Sequence, residues 1–136
     1  IGLADFTTER VGKRLMGDVY GHTALYPEAV IGFMNKSSRI LGVKTPLLDD
    51  LELGWGNEEW LAPEGLHQGN VFASELTGPL LVKNPGMLEA VAAAICVRKG
   101  WQPPQTESRD SLAWEAYEAT AGELCKRVHG ILRTPT

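Results

Sequence analysis

The stretch LHQGNVFASELTGPLLVKNPGMLEAV, residues 66–91, carries the clearest fold signal in the chain. The run from Asn70 to Leu76 predicts a strand, and the Gly78–Pro79 pair after it predicts a turn. A helix follows, because Asn84 is a favoured N-cap residue and Pro85 suits the first helical position. Apolar residues then recur at helical spacing along one face, namely Met87, Leu88, Val91 and Ile95.

Thr77 lies at the end of this predicted strand, directly before the turn. Loops and turns on a rigid scaffold carry a large share of catalytic and binding side chains. Glu75 is two residues earlier, and the alternation of side chains along a strand points both residues to the same sheet face. Thr77 and Glu75 are therefore candidate site residues. The alternative interpretation is that Thr77 simply leads the strand into the turn.

Four further runs predict strands upstream of this stretch: Ile1–Thr8, Arg14–Gly21, Ala29–Met34 and Leu51–Trp55. The almost continuously apolar run AVIGFM, residues 29–34, indicates a strand buried on both faces. Two longer loops are predicted at residues 37–50 and 56–69. The second loop carries Trp60, which either packs beneath a solvated loop or contacts a partner.

The C-terminal part of the chain predicts two helices. The first ends at Gly100, because glycine readily adopts the left-handed conformation that ends a helix. The second begins near Asp110 and ends near Gly130, and one side of it carries Leu112, Ala116, Thr120, Leu124 and Val128.

Cys125 and His129 are four residues apart on the second helix and therefore share a face. This spacing suits a thiol–imidazole pair or two metal ligands. However, the negative C-terminal end of a helix disfavours a thiolate, which argues against a reactive cysteine there. The alternative is a half-buried cysteine and a histidine that interacts with the helix dipole.

Length and composition narrow the class of protein. The 136 residues fit one domain, and the net charge of −4 with no basic stripe argues against a nucleic-acid partner. No apolar run reaches the ~18 residues that a membrane helix needs, and no signal peptide is visible. The two cysteines, Cys96 and Cys125, suit a reducing compartment. Together these features favour the cytoplasm and predict neither a metal nor a cofactor site.

The motif order resembles a known family. The matching pieces are IGLADFTTE, KRLMGD, VIGFMNKSSR, GWGNEE and EGLHQGNVFASELTGPLLVKNP, in that order from Ile1 to about Ala121. They resemble the second half of GatD-like glutamine amidotransferases, which are class I enzymes of the CobB/CobQ (cobyric acid synthase-like) type. The resemblance implies an α/β, flavodoxin-like fold with a mostly parallel sheet. It also implies that residues 1–136 form a single domain that lacks its N-terminal half.

The resemblance also implies a reaction and a partner. Members of this family hydrolyse glutamine with a cysteine nucleophile on a strand-to-helix elbow and a histidine at a later strand end. The ammonia passes to an ATP-dependent ligase, a MurT-like subunit in the amidation of a peptidoglycan precursor. In this chain, the Arg14 position matches a family arginine that helps to hold glutamine, and the neighbouring Lys13 and Asp18 are also family-like.

The departures from the family pattern concern the chemistry. Thr77 stands at the position of the family's catalytic histidine, and a threonine hydroxyl cannot act as a base near neutral pH. The family's glycine loop becomes residues 32–40, without its acid, its histidine and both of its glycines. Neither Cys96 nor Cys125 matches the nucleophile. Glu75 is the one candidate for a replacement base.

Three hypotheses follow from these observations. The chain is part of a glutaminase that takes its nucleophile from an N-terminal segment, or it is a non-catalytic module that docks on a ligase and regulates it. In the third hypothesis the chain is a fragment with no role of its own. Because apolar strands of a half-domain would leave a sheet edge and face uncovered, we expect a complementary chain or a homodimer.

Overall fold

The computed structural model describes residues 4–103, 105, 108–109 and 111–130. The elements in chain order are β1 (Thr7–His22), β2 (Val30–Leu41), β3 (Asp50–Leu53), β4 (Leu66–Gln68), β5 (Val71–Ala73), β6 (Leu76–Thr77), α1 (Leu80–Lys83), α2 (Pro85–Lys99) and α3 (Leu112–Val128). The mixed α/β composition and the two C-terminal helices, α2 and α3, confirm the sequence-based prediction.

The sheet differs from the expectation. β3, β1, β2 and β6 form a four-stranded sheet in that order, and β4 and β5 form a separate hairpin. Every strand pairing in the described part of the chain is antiparallel, so the mostly parallel sheet implied by the resemblance is not found there. The short connection between β1 and β2 explains the antiparallel direction of that pair, because only antiparallel neighbours can be joined without a long crossover.

The predicted strand limits need correction at the N-terminus. The predicted strands Ile1–Thr8 and Arg14–Gly21 are not separate: β1 begins at Thr7 and continues to His22, past a register shift between Arg10 and Leu15. Residues 4–6 lie outside any strand, and residues 1–3 lie outside the described residues. The predicted loop at 37–50 begins only at Gly42, because β2 keeps pairing with β1 as far as Leu41.

The remaining strand predictions were right in place but not in length. β3 ends at Leu53 rather than Trp55, because Gly54 has a φ of 108° and leaves the extended conformation. The predicted strand Asn70–Leu76 divides into β5 and β6, since Ser74 and Glu75 bind the Glu64 carboxylate instead of a neighbouring strand. The predicted loop at 56–69 is shorter than expected, because its last residues include β4 (Leu66–Gln68), which pairs with β5.

Both faces of β2 are buried, as its apolar sequence predicts. Val30 and Met34 belong to a core that includes Leu48, Leu76 and Met87 of α2. Ile31 belongs to a second core on the opposite face, where its neighbours are Trp114, Tyr117 and Leu124 of α3. The alternation of side chains along β2 therefore turns one face toward Met87 of α2 and the other toward the aromatic residues of α3.

The start and end of α2 confirm the predicted limits. Asn84 is at the N-cap and Pro85 is the first helical residue, while Gly100 ends the helix with a φ of 67°. The Asn84 side chain does not cap the helix; it donates to Ile31 O and accepts from Ile31 N, each over 2.8 Å. This buried amide joins the start of α2 to β2. The predicted apolar face is only partly covered, since Leu88 is 44% and Ile95 is 50% exposed.

The side predicted for α3 is right only in part, because Leu124 is buried there while three of its other residues are not. Leu112 is 80% exposed, and Ala116 and Thr120 are exposed as well. The buried positions are Trp114, Tyr117 and Leu124, because the two aromatic rings offer more apolar area than the small residues on the predicted side. The Tyr117 hydroxyl also donates to Ala29 O over 2.7 Å, which fixes the rotation of the helix.

Candidate functional site

The strand end before the Gly78–Pro79 turn has the predicted location. Thr77 pairs with Phe33 across β6 and β2, and its Oγ1 donates to Phe33 O over 2.9 Å. Leu76 is buried against Gly32, where an added Cβ would lie 3.0 Å from Leu76 Cδ1. Gly78 has a φ of 69° and directs the chain toward α1. The Thr77 hydroxyl thus binds the main chain of the neighbouring strand.

Glu75 forms an ion pair and is not a free carboxylate. Its Oε2 lies 2.6 Å from Lys36 Nζ, and its Oε1 accepts from Ser38 Oγ over 3.1 Å. The Lys36 side chain is 5% exposed, so its ammonium depends on this contact for its charge balance. Glu75 is thus the counter-ion of a buried lysine.

Glu64 is a buried residue that the sequence did not single out. Its exposure is 0%, and its carboxylate accepts hydrogen bonds from Ser74 Oγ, over 3.0 and 2.9 Å, and from Glu75 N, over 2.8 Å. Burial raises the pKa of the Glu64 carboxyl above its usual range, although these hydrogen bonds and the nearby Lys36 ammonium act in the opposite direction. The carboxylate fixes the main chain just before Thr77.

The loop that carries Asn57 completes this arrangement. Lys36 Nζ also donates to Asn57 O over 3.2 Å. The Asn57 side chain donates to Gly65 O and accepts from Gly65 N, each over 2.9 Å. We call the set Lys36, Ser38, Asn57, Glu64, Ser74 and Glu75 the Glu64 cluster. It connects β2, the loop before β4 and the strand end in one hydrogen-bonded unit.

Arg14, the predicted glutamine-binding residue, lies on an exposed part of β1. Its Nε donates to Asn35 Oδ1 over 2.6 Å. β1 and β6 flank β2 on opposite sides, so the main chains of Arg14 and Thr77 are about 10 Å or more apart, given roughly 4.8 Å between neighbouring strands. The two candidates thus lie in one sheet, but Arg14 bonds Asn35 whereas Thr77 bonds Phe33.

The two family-like neighbours of Arg14 have different contacts. Lys13 Nζ lies 5.4 Å from the ring centroid of Trp55, a cation–π distance. Asp18 Oδ2 lies 2.5 Å from Arg127 Nη1 of α3, at a cleft of about 170 Å³ that Lys83 and Glu123 also line. Both residues therefore have structural contacts, and Asp18 holds α3 to the sheet.

The cysteine and histidine pair on α3 favours the non-catalytic interpretation. His129 Nδ1 lies 2.8 Å from Cys125 O and 3.6 Å from Cys125 Sγ. A carbonyl oxygen only accepts hydrogen bonds, so Nδ1 carries the proton and cannot take one from the thiol. Among the described residues, no group of three or more His, Cys, Asp and Glu side chains is placed to hold a metal ion.

The other two histidines also have structural partners. His22 Nε2 lies 2.7 Å from Glu52 Oε1, and the His67 ring stacks on Phe72 with 4.5 Å between centroids. Cys96 is a half-buried free thiol on α2. In the described part of the chain, no helix combines the length and apolar character that crossing a membrane requires.

The comparisons with known proteins agree with the resemblance seen in the motifs. The chain is 31% identical over 100 residues to lipid II isoglutaminyl synthase (glutamine-hydrolyzing) subunit GatD of Staphylococcus aureus. It is 27% identical over 111 residues to the subunit of the same name from Streptococcus pneumoniae. The chain is a relative of GatD. No protein-family model matches it.

The two matches cover different shares of the proteins. They span 74% and 81% of this chain but only 40% and 43% of the two GatD subunits. The chain therefore spans about two fifths of the length of the curated relatives it matches.

Proposed function

We propose that this chain is part of a glutamine amidotransferase-like subunit that acts in lipid II amidation and has lost the base at its strand end. The relationship to GatD supports the first half of this proposal. The hydrogen bond from Thr77 Oγ1 to Phe33 O supports the loss of the base, because the hydroxyl at the position of the family histidine donates its proton to the main chain. No imidazole is then available there to activate a thiol.

The finer assignments rest on the resemblance and are part of the same proposal. They are a class I, CobB/CobQ-like subunit, a flavodoxin-like architecture completed by an N-terminal half, and a cytoplasmic location. The partner would be a MurT-like ATP-dependent ligase. Glutamine would be bound with the help of Arg14 only if its guanidinium leaves Asn35, which it now contacts.

A glutaminase assay tests the loss of the base. We would express the full reading frame that contains this chain, purify it with the ligase subunit, and measure glutamate released from glutamine. We expect release at background level for the unchanged protein and for Thr77→Val, which removes the hydroxyl but keeps the shape. Release by the unchanged protein that Thr77→Val abolishes would overturn the proposal.

A second variant at the strand end tests whether the missing base alone accounts for the expected lack of activity. Thr77→His restores the residue type of the family at this position. If all other parts of a glutaminase site are present in the full protein, we expect Thr77→His to release glutamate above background. The matched control is Thr77→Phe, which adds a ring of similar size without a basic nitrogen.

The alternative function is a non-catalytic interaction or regulatory module that docks on the ligase. An apolar groove of about 680 Å³ supports it, because Phe72, Leu81 and Ile95 line it beside α2. Such a groove would accept a complementary N-terminal half, a ligase surface or a second copy of the chain. Ligase activity with free ammonia, measured with and without this chain, tests the regulatory role.

A further inference from the structure

The loop of residues 54–63, which we call the Trp60 loop, presents apolar side chains to solvent between β3 and β4. Trp60 and Leu61 are each 45% exposed. Glu58 and Glu59 precede them and are exposed as well. No ion pair to either carboxylate is found within the described residues. The loop therefore combines two large apolar side chains with two carboxylates free to meet a partner.

The main chain of the Trp60 loop is held in one conformation. Gly56 N donates to Glu59 O and Leu61 N donates to Gly54 O, each over 2.9 Å. Asn57 N donates to Pro63 O over 2.8 Å, and Asn57 O accepts from Lys36 Nζ, another member of the Glu64 cluster. Because binding costs less when a loop is already ordered, this arrangement suits a recognition surface.

Leu61 adopts a backbone conformation that leucine disfavours. Its φ is 62°, and it is the one non-glycine residue with a positive φ in the described part of the chain. Glycine or asparagine adopts this region with less strain, and strained residues cluster at sites of function. The positive φ of this half-exposed leucine is therefore consistent with a role in recognition.

The Trp60 ring is supported from below. It meets the Trp55 ring edge to face with 5.4 Å between centroids. Lys13 Nζ in turn lies 5.4 Å from the centroid of the Trp55 ring. The contact with Trp55 leaves about half of Trp60 uncovered while it fixes the orientation of the ring. Tryptophan is one of the residue types enriched among those that dominate the affinity of protein interfaces.

We propose that the Trp60 loop is a docking site for a protein partner whose surface has an apolar pocket edged by lysine or arginine. Trp60 and Leu61 fill the pocket, and Glu58 and Glu59 pair with the basic edge. The carboxylates favour a protein over a membrane, because an anionic lipid surface repels them.

The test rests on the proposed function, because it uses the ligase subunit as the partner. We would measure the Kd between the full-length protein and this ligase subunit for the unchanged chain and for Trp60→Ala. We expect Trp60→Ala to weaken binding at least tenfold. The matched control is Trp101→Ala, which removes a tryptophan that is 63% exposed elsewhere, and its Kd should stay within twofold.

The acidic residues have a separate readout. The double variant Glu58→Lys, Glu59→Lys should slow association about fivefold or more at low salt, and the difference should shrink as salt is added. Leu61→Gly is the second apolar variant, because it relieves the strained backbone and keeps the chain folded. It should weaken binding about fivefold without lowering the thermal midpoint.

The outcomes distinguish the two proposals. If the unchanged protein does not bind the ligase, the proposed partner and this inference both fail. If it binds and Trp60→Ala binds equally well, only the Trp60 loop proposal is overturned. Binding of the unchanged protein to phosphatidylglycerol vesicles that is lost in Trp60→Ala would also overturn it, in favour of a membrane surface. Circular dichroism of each variant confirms that it is folded.

Discussion

The Glu64 cluster and the Trp60 loop share Asn57, yet they use their acidic residues in opposite ways. Glu64 is fully buried and accepts hydrogen bonds from two donors, the Ser74 hydroxyl and Glu75 N, whereas Glu58 and Glu59 are exposed. The cluster satisfies its polar groups internally. The loop leaves its carboxylates and two large apolar side chains facing outward. The comparison indicates that the strand end maintains the fold, while the loop is the surface open to a partner.

The largest effect should come from removing the buried carboxylate. Glu64→Ala leaves the Ser74 hydroxyl and the Glu75 N–H without their acceptor, and it removes one anion near the buried Lys36. We expect the free energy of unfolding to fall by about 3 kcal/mol. Urea denaturation measures it. Glu59→Ala in the Trp60 loop is the control and should change stability by less than ~0.5 kcal/mol.

The pH dependence of stability should reveal the same carboxylate. Its raised pKa means that burial disfavours the ionised form, so its contribution to stability is full below the ordinary value of 4.5 and is lost as the pH rises through the raised value. The stability of the unchanged protein relative to Glu64→Gln should therefore fall as the pH rises from 4.5, with a slope of at most about 1.4 kcal/mol per pH unit. If the stability of the unchanged protein relative to Glu64→Gln rose with pH, the pKa of Glu64 would not be raised.

At position 61 of the Trp60 loop, glycine should stabilise the protein more than alanine does. Alanine at position 61 keeps the unfavourable positive φ of the backbone, whereas glycine adopts it freely. We expect Leu61→Gly to be more stable than Leu61→Ala by about 1 kcal/mol, although glycine is normally the less stabilising residue. Thermal unfolding of the two variants gives the order. Equal midpoints would show that the backbone at position 61 is not strained.

The smallest effect should come from the strand end itself. Thr77→Val removes the hydrogen bond to Phe33 O at an exposed position, where water can replace the lost donor. We expect a loss of about 0.5 kcal/mol. Denaturant titration gives the free energy of unfolding of Thr77→Val and of Glu64→Ala for comparison. The two positions are linked through Ser74 and Glu75, but Glu64 is buried and Thr77 is exposed. A loss above about 2 kcal/mol would make Thr77 a member of the buried cluster.

Local signals predicted the parts of the fold that depend on local physics. The limits of α2 followed from Pro85 and Gly100, and the two-sided burial of β2 followed from its apolar run. The buried side of α3 followed only at Leu124, because Leu112 and Thr120 fit a helical spacing as well as Trp114 and Tyr117 do. Only the packing against Ile31 and Ala29 selects the aromatic side.

The candidate site was predictable in part. The turn after Thr77 was visible in the sequence, and so was its contrast with the family histidine. The ion pair between Lys36 and Glu75 joins residues 39 positions apart, and no local pattern indicates it. Glu64 lies in the same acidic loop sequence as Glu58 and Glu59. Its burial depends on hydrogen bonds from Ser74 and Glu75, which the sequence does not reveal.

The way α3 is attached has a consequence for the order of folding. β1 and β2 are joined by a short connection, whereas Tyr117 meets Ala29 across 88 positions and Arg127 meets Asp18 across 109. Since closing a longer loop costs more entropy, the hairpin should form early and α3 should dock late. Hydrogen exchange should therefore find the amides of α3 opening before those of the hairpin, as a unit that detaches while the sheet persists.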